Sequence, residues 1–254
     1  MIKFSEAFSY QAKDYGKYRP TYPDSLFKFL SGLVTNHKDA WDCATGTGQA
    51  ALGLQKYFDH VHATDCDEEQ IFNATPHSKV HYSLAPAEAS NLPDSYVSLV
   101  TVAQSLHLFD LESFYREVDR VLKPEGIVAA WAYSFLQADG CDALNELIRK
   151  IRHDVLAPYW DSKFRNHWDQ YEQMNFPYER IDTPAFEVKT EWSLPDLMGY
   201  IASWYATAQY RLDNKGQHPA RSYWTEFCDL WDADPETPKT FRAPLIVMAG
   251  RKTS

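Results

Sequence analysis

A turn of small residues and the acid that follows it carry the chemistry most readily inferred from this sequence. Residues 41–49 read W-D-C-A-T-G-T-G-Q, and Asp65 ends the next apolar run. The pattern predicts a short strand over 40–43, a turn containing Gly46 and Gly48, and then a helix. Small residues in such a turn let the backbone approach a ligand closely, and the acid is placed to accept hydrogen bonds from ribose hydroxyls. We therefore expect half of a nucleotide-cofactor site here.

Two cofactors are compatible with this turn. Residues 46–51, G-T-G-Q-A-A, fit the G-x-G-x-x-G/A pattern of NAD enzymes, and Asp65 lies 19 residues after Gly46, about the distance that the pattern requires. Against NAD, Asp42 stands in the strand end, where an NAD-binding strand is normally apolar. An acid there can instead bind a cationic amine, such as the α-amino group of a methionine moiety. The turn also lies behind an aromatic-rich leader of about 40 residues, and the downstream segments match a different family.

Over about 1–135 and again over 184–250, the chain resembles the class I S-adenosylmethionine (SAM) methyltransferases, most closely the branch related to trans-aconitate methyltransferases. The segments that carry the resemblance are F-S-E-A-F-S-Y-Q-A-K-D-Y-G-K-Y-R-P-T-Y-P near the start, D-C-A-T-G-T-G-Q at 42–49, T-D-C-D-E-E-Q-I at 64–71, A-P-A-E-A-S-N-L-P at 85–93, S-L-V-T-V-A-Q-S-L-H-L-F-D at 98–110, and E-V-D-R-V-L-K-P-E-G at 117–126 followed by I-V-A-A-W. The resemblance implies an α/β fold with a doubly wound, mostly parallel seven-stranded sheet of the Rossmann-like methyltransferase type. It also implies SAM as the cofactor, a helical insertion between strands five and six, and a last strand, P-L-I-V-M-A-G, that inserts antiparallel.

The same resemblance assigns a set of cofactor contacts. They are Tyr18, Arg19, Asp42, Ala44, Thr45, Gly46, Gly48, Gln49, Asp65, Cys66, Ala87, Glu88, Gln104 and Ser105. Two positions depart from the family pattern: Ala44 replaces the first glycine of D-x-G-x-G-x-G, and Pro86 stands where many relatives carry an acid that binds the adenine amine. The adenine is then expected to be held by the backbone of Ala87, by Glu88 or by stacking. Cys66, like Cys43, is expected to be a small buried filler.

The acceptor side of the site is less defined by the sequence. His107 follows the fourth predicted strand and is the candidate general base, or else a residue that orients its loop. A carboxylate acceptor is already ionised at neutral pH and needs no base, whereas an amine or phenol makes stronger demands on proton removal. The residues expected to contact the acceptor are Tyr10, Tyr15, Trp131, Trp204 and Arg211. Arg152 and Arg165 are further candidates for pairing with an anion.

Composition restricts the class of partner. The 25 Lys and Arg against 35 Asp and Glu give a net charge of −10, and a diffuse acidic surface repels nucleic-acid phosphates. No apolar run approaches the roughly 20 residues needed to span a bilayer, and no hydrophobic signal core is present at the start. The four cysteines show no C-x-x-C spacing, and no His, Cys or Asp cluster has metal spacing. We expect a reduced cytoplasmic protein without a metal, as a monomer or homodimer.

Apolar periodicity predicts how the chain is organised. Strands and helices alternate up to about residue 133, which indicates a parallel, doubly wound sheet. The apolar run Val97–Ala103 is typical of a strand buried on both faces. A stripe over 144–155 predicts one helix, and an S-x-x-D pattern at Ser193 predicts the start of another that carries Trp204. We expect one domain over 1–254, with a helical lid at 1–35, a cofactor-binding core at 36–133, a helical substrate cap at 134–183 and the rest of the sheet at 184–254.

The favoured interpretation is a SAM-dependent methyltransferase that acts on a small molecule, with O-methylation of a carboxylate as the reaction. An amine, phenol or other hydroxyl acceptor is the first alternative. An NAD-linked oxidoreductase and a non-catalytic SAM-binding protein are alternatives from other classes.

Overall fold

The computed structural model describes residues 18–161, 171–231 and 234–253. The expectations for Tyr10, Tyr15 and Arg165 lie outside these ranges. The described residues fall into two compact units, each of which is treated by itself. The core unit contains residues 21–134, 171–187 and 244–253, and the insertion unit contains 18–20, 135–161 and 188–243, apart from the gap at 232–233.

The secondary structure alternates strands and helices through the first half of the chain. The strands are β1 (Asp39–Cys43), β2 (His60–Asp65), β3 (Val80–Leu84), β4 (Val97–Ala103), β5 (Leu122–Tyr133), β6 (Gln137–Ala138), β7 (Glu179–Ile181), β8 (Phe186–Trp192) and β9 (Lys239–Arg251). The helices are α1 (Asp24–Gly32), α2 (Gln49–Leu54), α3 (Glu68–Phe72), α4 (Leu111–Val121), α5 (Asp142–Lys150), α6 (Leu194–Ala202), α7 (Tyr205–Asp213) and α8 (Trp224–Trp231). None of the helices in the described ranges is long and apolar enough to cross a membrane.

The core unit is built on a doubly wound sheet. Its strand order is β3-β2-β1-β4-β5-β9, in which the first five strands are parallel and β9 is antiparallel to β5. The predicted fold class and the antiparallel last strand are therefore confirmed. Because β1 and β4 are central, their residues are buried almost throughout. Helix α4 packs on one face of the sheet through Phe114, Val118 and Val121, all of which are fully buried.

Strand β9 belongs to both units. Its residues 245–251 pair with β5, and Ala249 to Arg251 also pair with β7. Its earlier residues Phe241 and Arg242 pair with the two-residue strand β6. The described residues therefore contain nine strands rather than the seven expected. The two extra strands, β6 and β7, are short and fall inside the segment that was predicted to be a helical insertion.

The insertion unit differs from the sequence prediction at two helix ends. The stripe that predicted one helix over 144–155 is divided, because α5 ends at Lys150 and a π turn covers Ile151–Val155. The helix predicted to carry Trp204 also ends early, and Trp204 becomes the N-cap of α7. The Ser203 hydroxyl donates to the Tyr200 carbonyl at 2.7 Å. Side-chain hydroxyls that bond helix carbonyls in this way compete with continuation of the helix.

The start of α6 follows the prediction from the S-x-x-D pattern. The Ser193 hydroxyl accepts a hydrogen bond from the Asp196 backbone N–H, and the Asp196 carboxylate accepts one from the Ser193 N–H. Such a reciprocal capping box satisfies two helix donors that would otherwise have no partner.

Candidate functional site

The turn between β1 and α2 adopts a backbone that favours small residues. Ala44, Gly46 and Gly48 have φ angles of 53°, 57° and 95°. The turn is closed by two backbone hydrogen bonds, from Thr45 N–H to the Thr64 carbonyl at 2.9 Å and from Gly48 N–H to the Thr45 carbonyl at 3.0 Å. Ala44 therefore occupies a left-handed conformation that costs an L-residue about 1–2 kcal/mol. The substitution of alanine for glycine preserves the small size of this position but not its conformational freedom.

Gly48 is required by packing inside the protein. A Cβ at this position would lie 2.1 Å from the Tyr82 hydroxyl oxygen, which itself donates to the Thr75 carbonyl at 2.9 Å. At Gly46 a Cβ would meet only the Gln70 side-chain oxygen, at 3.6 Å. The sequence pattern predicted that both glycines allow a ligand to approach the backbone. The structure shows a further reason for glycine at position 48, which is the contact with Tyr82.

Asp42 lies under the turn and is fully buried. One carboxylate oxygen accepts a hydrogen bond from the Thr45 hydroxyl at 2.6 Å, and the other accepts one from the Thr101 hydroxyl at 2.7 Å. Burial raises the pKa of this carboxyl from 3.8 to about 6, against the lowering effect of the two hydroxyls. Both oxygens thus hold β4 and the turn together, and the expected contact of Asp42 with an amine stays a prediction.

Asp65, at the end of β2, faces the same turn. Its Oδ2 atom accepts from the Gly46 N–H at 2.8 Å, and its Oδ1 atom accepts from the Asp67 N–H at 3.0 Å. The side chain is 8% exposed, and burial raises its pKa, whereas these backbone donors lower it. The acid predicted from the spacing is thus in contact with the glycine turn, as a ribose-binding residue would need to be.

The loop after β3 contains the positions expected to hold adenine. Ala87 is buried in the main apolar cluster of the core unit. Glu88 accepts a hydrogen bond through Oε1 from the Asp110 N–H at 3.3 Å, so that it ties this loop to the start of α4. Pro86 is exposed, and its carbonyl accepts from Ala89. Cys66 is also exposed, which corrects the expectation of a buried filler; that expectation holds for Cys43.

Three candidate residues follow β4. Gln104 has a positive φ of 62°, and its N–H donates to the Trp131 carbonyl at 2.8 Å. The Ser105 hydroxyl donates to the Ala103 carbonyl at 3.2 Å. His107 lies next in a single turn of 3-10 helix, where it is half-buried. The expected cofactor and base positions therefore share one short segment at the carboxyl end of β4, the edge at which doubly wound sheets bind ligands.

Trp131 lies near the carboxyl end of β5 and is fully buried. The Tyr22 and Phe27 rings pack edge-on against it, with centroid distances of 5.4 Å and 6.2 Å. Its indole Nε1 has no hydrogen-bond partner within the described ranges. The expected contact with an acceptor stays a prediction, and the observed role of the ring is in the aromatic packing of the core unit.

In the insertion unit, Tyr18 and Arg19 pack on α6. A Cβ at Gly199 would lie 2.5 Å from the Tyr18 ring, so the glycine makes room for that ring. The Arg19 guanidinium donates from Nη2 to the Ser203 carbonyl at 3.0 Å and lies over the Tyr200 ring, 5.4 Å from its centroid. A contact of Tyr18 or Arg19 with the cofactor stays a prediction.

Trp204 and Arg211 have different surroundings. Trp204 is buried, and its ring meets Phe135 at 4.9 Å and Trp160 at 6.3 Å between centroids. Arg211 is exposed, and its Nε donates to the Gly216 carbonyl at 3.3 Å. The Nε group of Arg211 thus closes the loop that follows α7, and the expected contact of Arg211 with an acceptor stays a prediction.

The sequence missed the partners that fix the predicted residues. Tyr82 and Thr101 hold Gly48 and Asp42, respectively, and the Trp41 indole donates to the Thr64 hydroxyl at 2.9 Å. These contacts join different strands or the turn that follows one, so they depend on strand pairing and register, which a motif within one segment does not report. Over the described ranges, no group of three or more His, Cys, Asp or Glu side chains is arranged to hold a metal ion.

Comparison with known proteins finds methyltransferases over the same segments that build this site. A family model described as a methyltransferase domain matches residues 41–130, which run from β1 into β5. A candidate methyltransferase of Dictyostelium discoideum is 30% identical over 210 residues, which cover 82% of this chain and 80% of that protein. A Saccharomyces cerevisiae protein described as a SAM-dependent methyltransferase is 28% identical over 137 residues, which cover 49% of this chain and 46% of that protein.

A solved structure gives the same result for the fold. A candidate type II methyltransferase from Anaeromyxobacter dehalogenans superimposes with a TM-score of 0.82 at 33% identity. The match covers 92% of this chain and 98% of that one, so it extends well beyond the part that the family model recognises.

Proposed function

The chain belongs to the class I SAM-dependent methyltransferases, and we propose that it transfers the methyl group to a carboxylate of a small, partly apolar acceptor. The narrower similarity to the trans-aconitate branch is part of this proposal. The observation that carries it is the make-up of the insertion unit, where guanidinium groups lie against aromatic rings. Arg19 lies over Tyr200, and Arg152 lies over Phe135.

Residues of the core unit fit SAM on two observations. The Gln49 Nε2 atom is enclosed but has no hydrogen-bond partner in the described part of the chain, so it is a donor suited to a ligand oxygen. The Asp65 carboxylate already accepts two backbone hydrogen bonds and has lone pairs left for hydroxyl donors. We propose that Gln49, Asp65 and the backbone at Gly46 hold the cofactor. When bound, SAM supplies an electrophilic methyl group on a positively charged sulfur.

The remaining contributions come from positioning and from exclusion of water. A carboxylate acceptor is ionised at neutral pH, so its attack requires no proton transfer by the protein. Holding two reactants in the correct orientation contributes on the order of 7–11 kcal/mol in well-oriented cases. Aromatic walls with a few fixed polar groups suit a small acceptor with an apolar body. Methyl transfer to a carboxylate therefore does not require a general base in the protein.

The type of bond formed provides the test of this proposal. Purified protein would be incubated with methyl-tritiated SAM and each of phenylacetate, cinnamate, trans-aconitate, phenethylamine and 4-methylphenol. Alkaline hydrolysis releases volatile labelled methanol from a methyl ester but not from an N-methyl amine or an aryl ether. We expect volatile label with at least one acid. Label that is transferred only to the amine or the phenol, in non-volatile form, would contradict the proposal.

His107 provides a second check on the chemistry. If the acceptor is a carboxylate, His107→Gln is expected to lower kcat for the acid by less than about tenfold, because no proton has to be removed. Loss of a general base typically costs 10²–10⁴-fold, so a loss in that range would instead indicate an acceptor that must be deprotonated.

A further inference from the structure

Helix α5 is extended by an unusual turn. Residues Ile151–Val155 form a π turn, and the Leu156 N–H donates to the Ile151 carbonyl at 2.9 Å across five residues. The Arg152 carbonyl accepts a hydrogen bond from the Trp160 indole at 3.2 Å. Isolated π turns are rare, and they frequently occur at functional sites because they redirect side chains that a regular helix would place elsewhere. Arg152 lies within this turn, and it is the residue whose carbonyl the Trp160 indole holds.

The Arg152 guanidinium lies against an aromatic wall. Its Cζ atom is 3.4 Å from the centroid of the Phe135 ring, which is the distance of direct stacking. Phe135 in turn contacts Trp160 and Trp204 edge-on, with centroid distances of 6.1 Å and 4.9 Å. All four residues belong to the insertion unit. A cation is thus fixed beside a surface that suits the apolar body of a small molecule.

The other arginines considered for an acceptor are placed differently. Arg211 is exposed and bonds the Gly216 carbonyl. Arg19 donates to the Ser203 carbonyl and lies 5.4 Å from the Tyr200 centroid, so it holds the end of α6. Arg152 combines half-burial, stacking at 3.4 Å and a position on an irregular turn. Among these arginines, it best matches a residue shaped for ligand binding.

Stacking and anion binding use different parts of a guanidinium. The ring contacts its flat face, whereas a carboxylate is bound through N–H groups along its edge. We infer that Arg152 binds the acceptor's carboxylate through that edge, with Phe135 and Trp204 against the apolar part of the acceptor. This inference rests on the proposed function, because it assumes that the acceptor is an acid.

Binding measured without the cofactor tests the inference directly. Phenylacetate and its neutral amide, phenylacetamide, would be titrated by calorimetry into the wild type, Arg152→Gln, Arg152→Lys and Arg149→Gln. Arg149 is the matched control, since it lies three residues earlier, is exposed and pairs with Glu146. We expect Arg152→Gln to weaken phenylacetate binding about 10- to 100-fold, the range for a charged hydrogen bond. Arg152→Lys should fall between that variant and the wild type, and Arg149→Gln should match the wild type.

The preference for acid over amide separates recognition from folding. A variant that merely disturbs the fold weakens both ligands, whereas loss of carboxylate recognition removes the preference and leaves phenylacetamide binding unchanged. An unchanged preference in Arg152→Gln, or no preference in the wild type, would overturn the inference. If the wild type forms a labelled methyl ester but the Arg152→Gln preference is unaltered, the proposed function stands and only the inference fails. If Arg152→Gln loses the preference but no ester is ever formed, the anion site stands and carboxylate methylation fails.

Discussion

Asp42 should make the stability of this protein fall as the pH rises from about 4 to 7. Its pKa is about 6 in the folded protein, because burial disfavours the ionised form more than the Thr45 and Thr101 hydroxyls stabilise it. In the unfolded chain the pKa returns to 3.8. The folded protein therefore binds this proton more tightly, so the favourable contribution is complete below pH 3.8 and is lost as the pH rises through about 6. The difference corresponds to about 3 kcal/mol.

The substitution Asp42→Asn removes this titrating group, and the difference from the wild type cancels the contributions of groups that do not interact with it. Asparagine cannot ionise, and its carbonyl can accept from one threonine hydroxyl while its amide donates to the other. The free energy of unfolding would be measured by urea titration at pH 4.5, 5.5, 6.5 and 7.5, with tryptophan fluorescence as the signal. We expect the value for the wild type minus that for Asp42→Asn to fall by about 2 kcal/mol across this range.

An acid whose pKa is lowered rather than raised in the folded protein provides the control. Asp110 is exposed, and the Ser113 hydroxyl holds its pKa below the usual value, so its contribution is present at neutral pH and lost on acidification. The corresponding difference for Asp110→Asn should thus change in the reverse direction with pH. If the Asp42 difference is flat within error over the whole range, the buried carboxylate is ionised at no net cost and the reasoning about its pKa is refuted.

Further substitutions test the turn and the residues that contact it. Asp65→Ala should weaken the binding of S-adenosylhomocysteine, measured by calorimetry, by about 1.5–3 kcal/mol, and unchanged affinity in a folded variant would remove Asp65 from the site. Gly48→Ala should lower the free energy of unfolding by about 2 kcal/mol or more, because the new Cβ would collide with the Tyr82 hydroxyl, and adding Tyr82→Phe should recover part of the loss. Gly46→Ala should lower the free energy of unfolding by only about 1–2 kcal/mol. Equal losses at both glycines would contradict the packing argument. Gln49→Leu should reduce S-adenosylhomocysteine affinity without lowering Tm, whereas a drop in Tm with unchanged affinity would show that the amide serves the fold.

Local signals in the sequence predicted the parts of the site that lie within one segment. The strand, the glycine turn and the acid at Asp65 follow each other at family spacing, so their contact needed no knowledge of the rest of the chain. The partners from other strands were not predicted. The contact between Tyr82 and Gly48 requires the parallel pairing of β1 with β2 and of β2 with β3, and the bond from Thr101 to Asp42 requires that of β1 with β4.

The insertion unit was predicted less well because its irregularities involve side-chain hydrogen bonds to helix carbonyls, which apolar periodicity does not encode. The stripe of Leu144, Leu147, Ile148 and Ile151 is buried as expected. Its apolar spacing does not predict the π turn that begins at Ile151. That turn is accompanied by a hydrogen bond from the Trp160 indole to the Arg152 carbonyl, eight residues earlier. The break before α7 likewise coincides with the Thr207 hydroxyl bonding the Ile201 carbonyl at 2.7 Å, a contact that periodicity does not encode.

The pairing of β5 with β9 has a consequence for how the protein is synthesised. Strands β1 to β5 are complete once residue 133 has left the ribosome, but residues 245–251, which pair with β5, are made more than 110 residues later. At about 5–20 residues per second, this interval lasts on the order of 6–24 s. During it, β5 is an edge strand whose unpaired backbone groups can pair with another nascent chain. Slower translation prolongs this exposure, so we expect the yield of soluble protein to depend on how quickly the segment between β5 and β9 is translated, and synonymous codons in that segment should change the yield without changing the sequence.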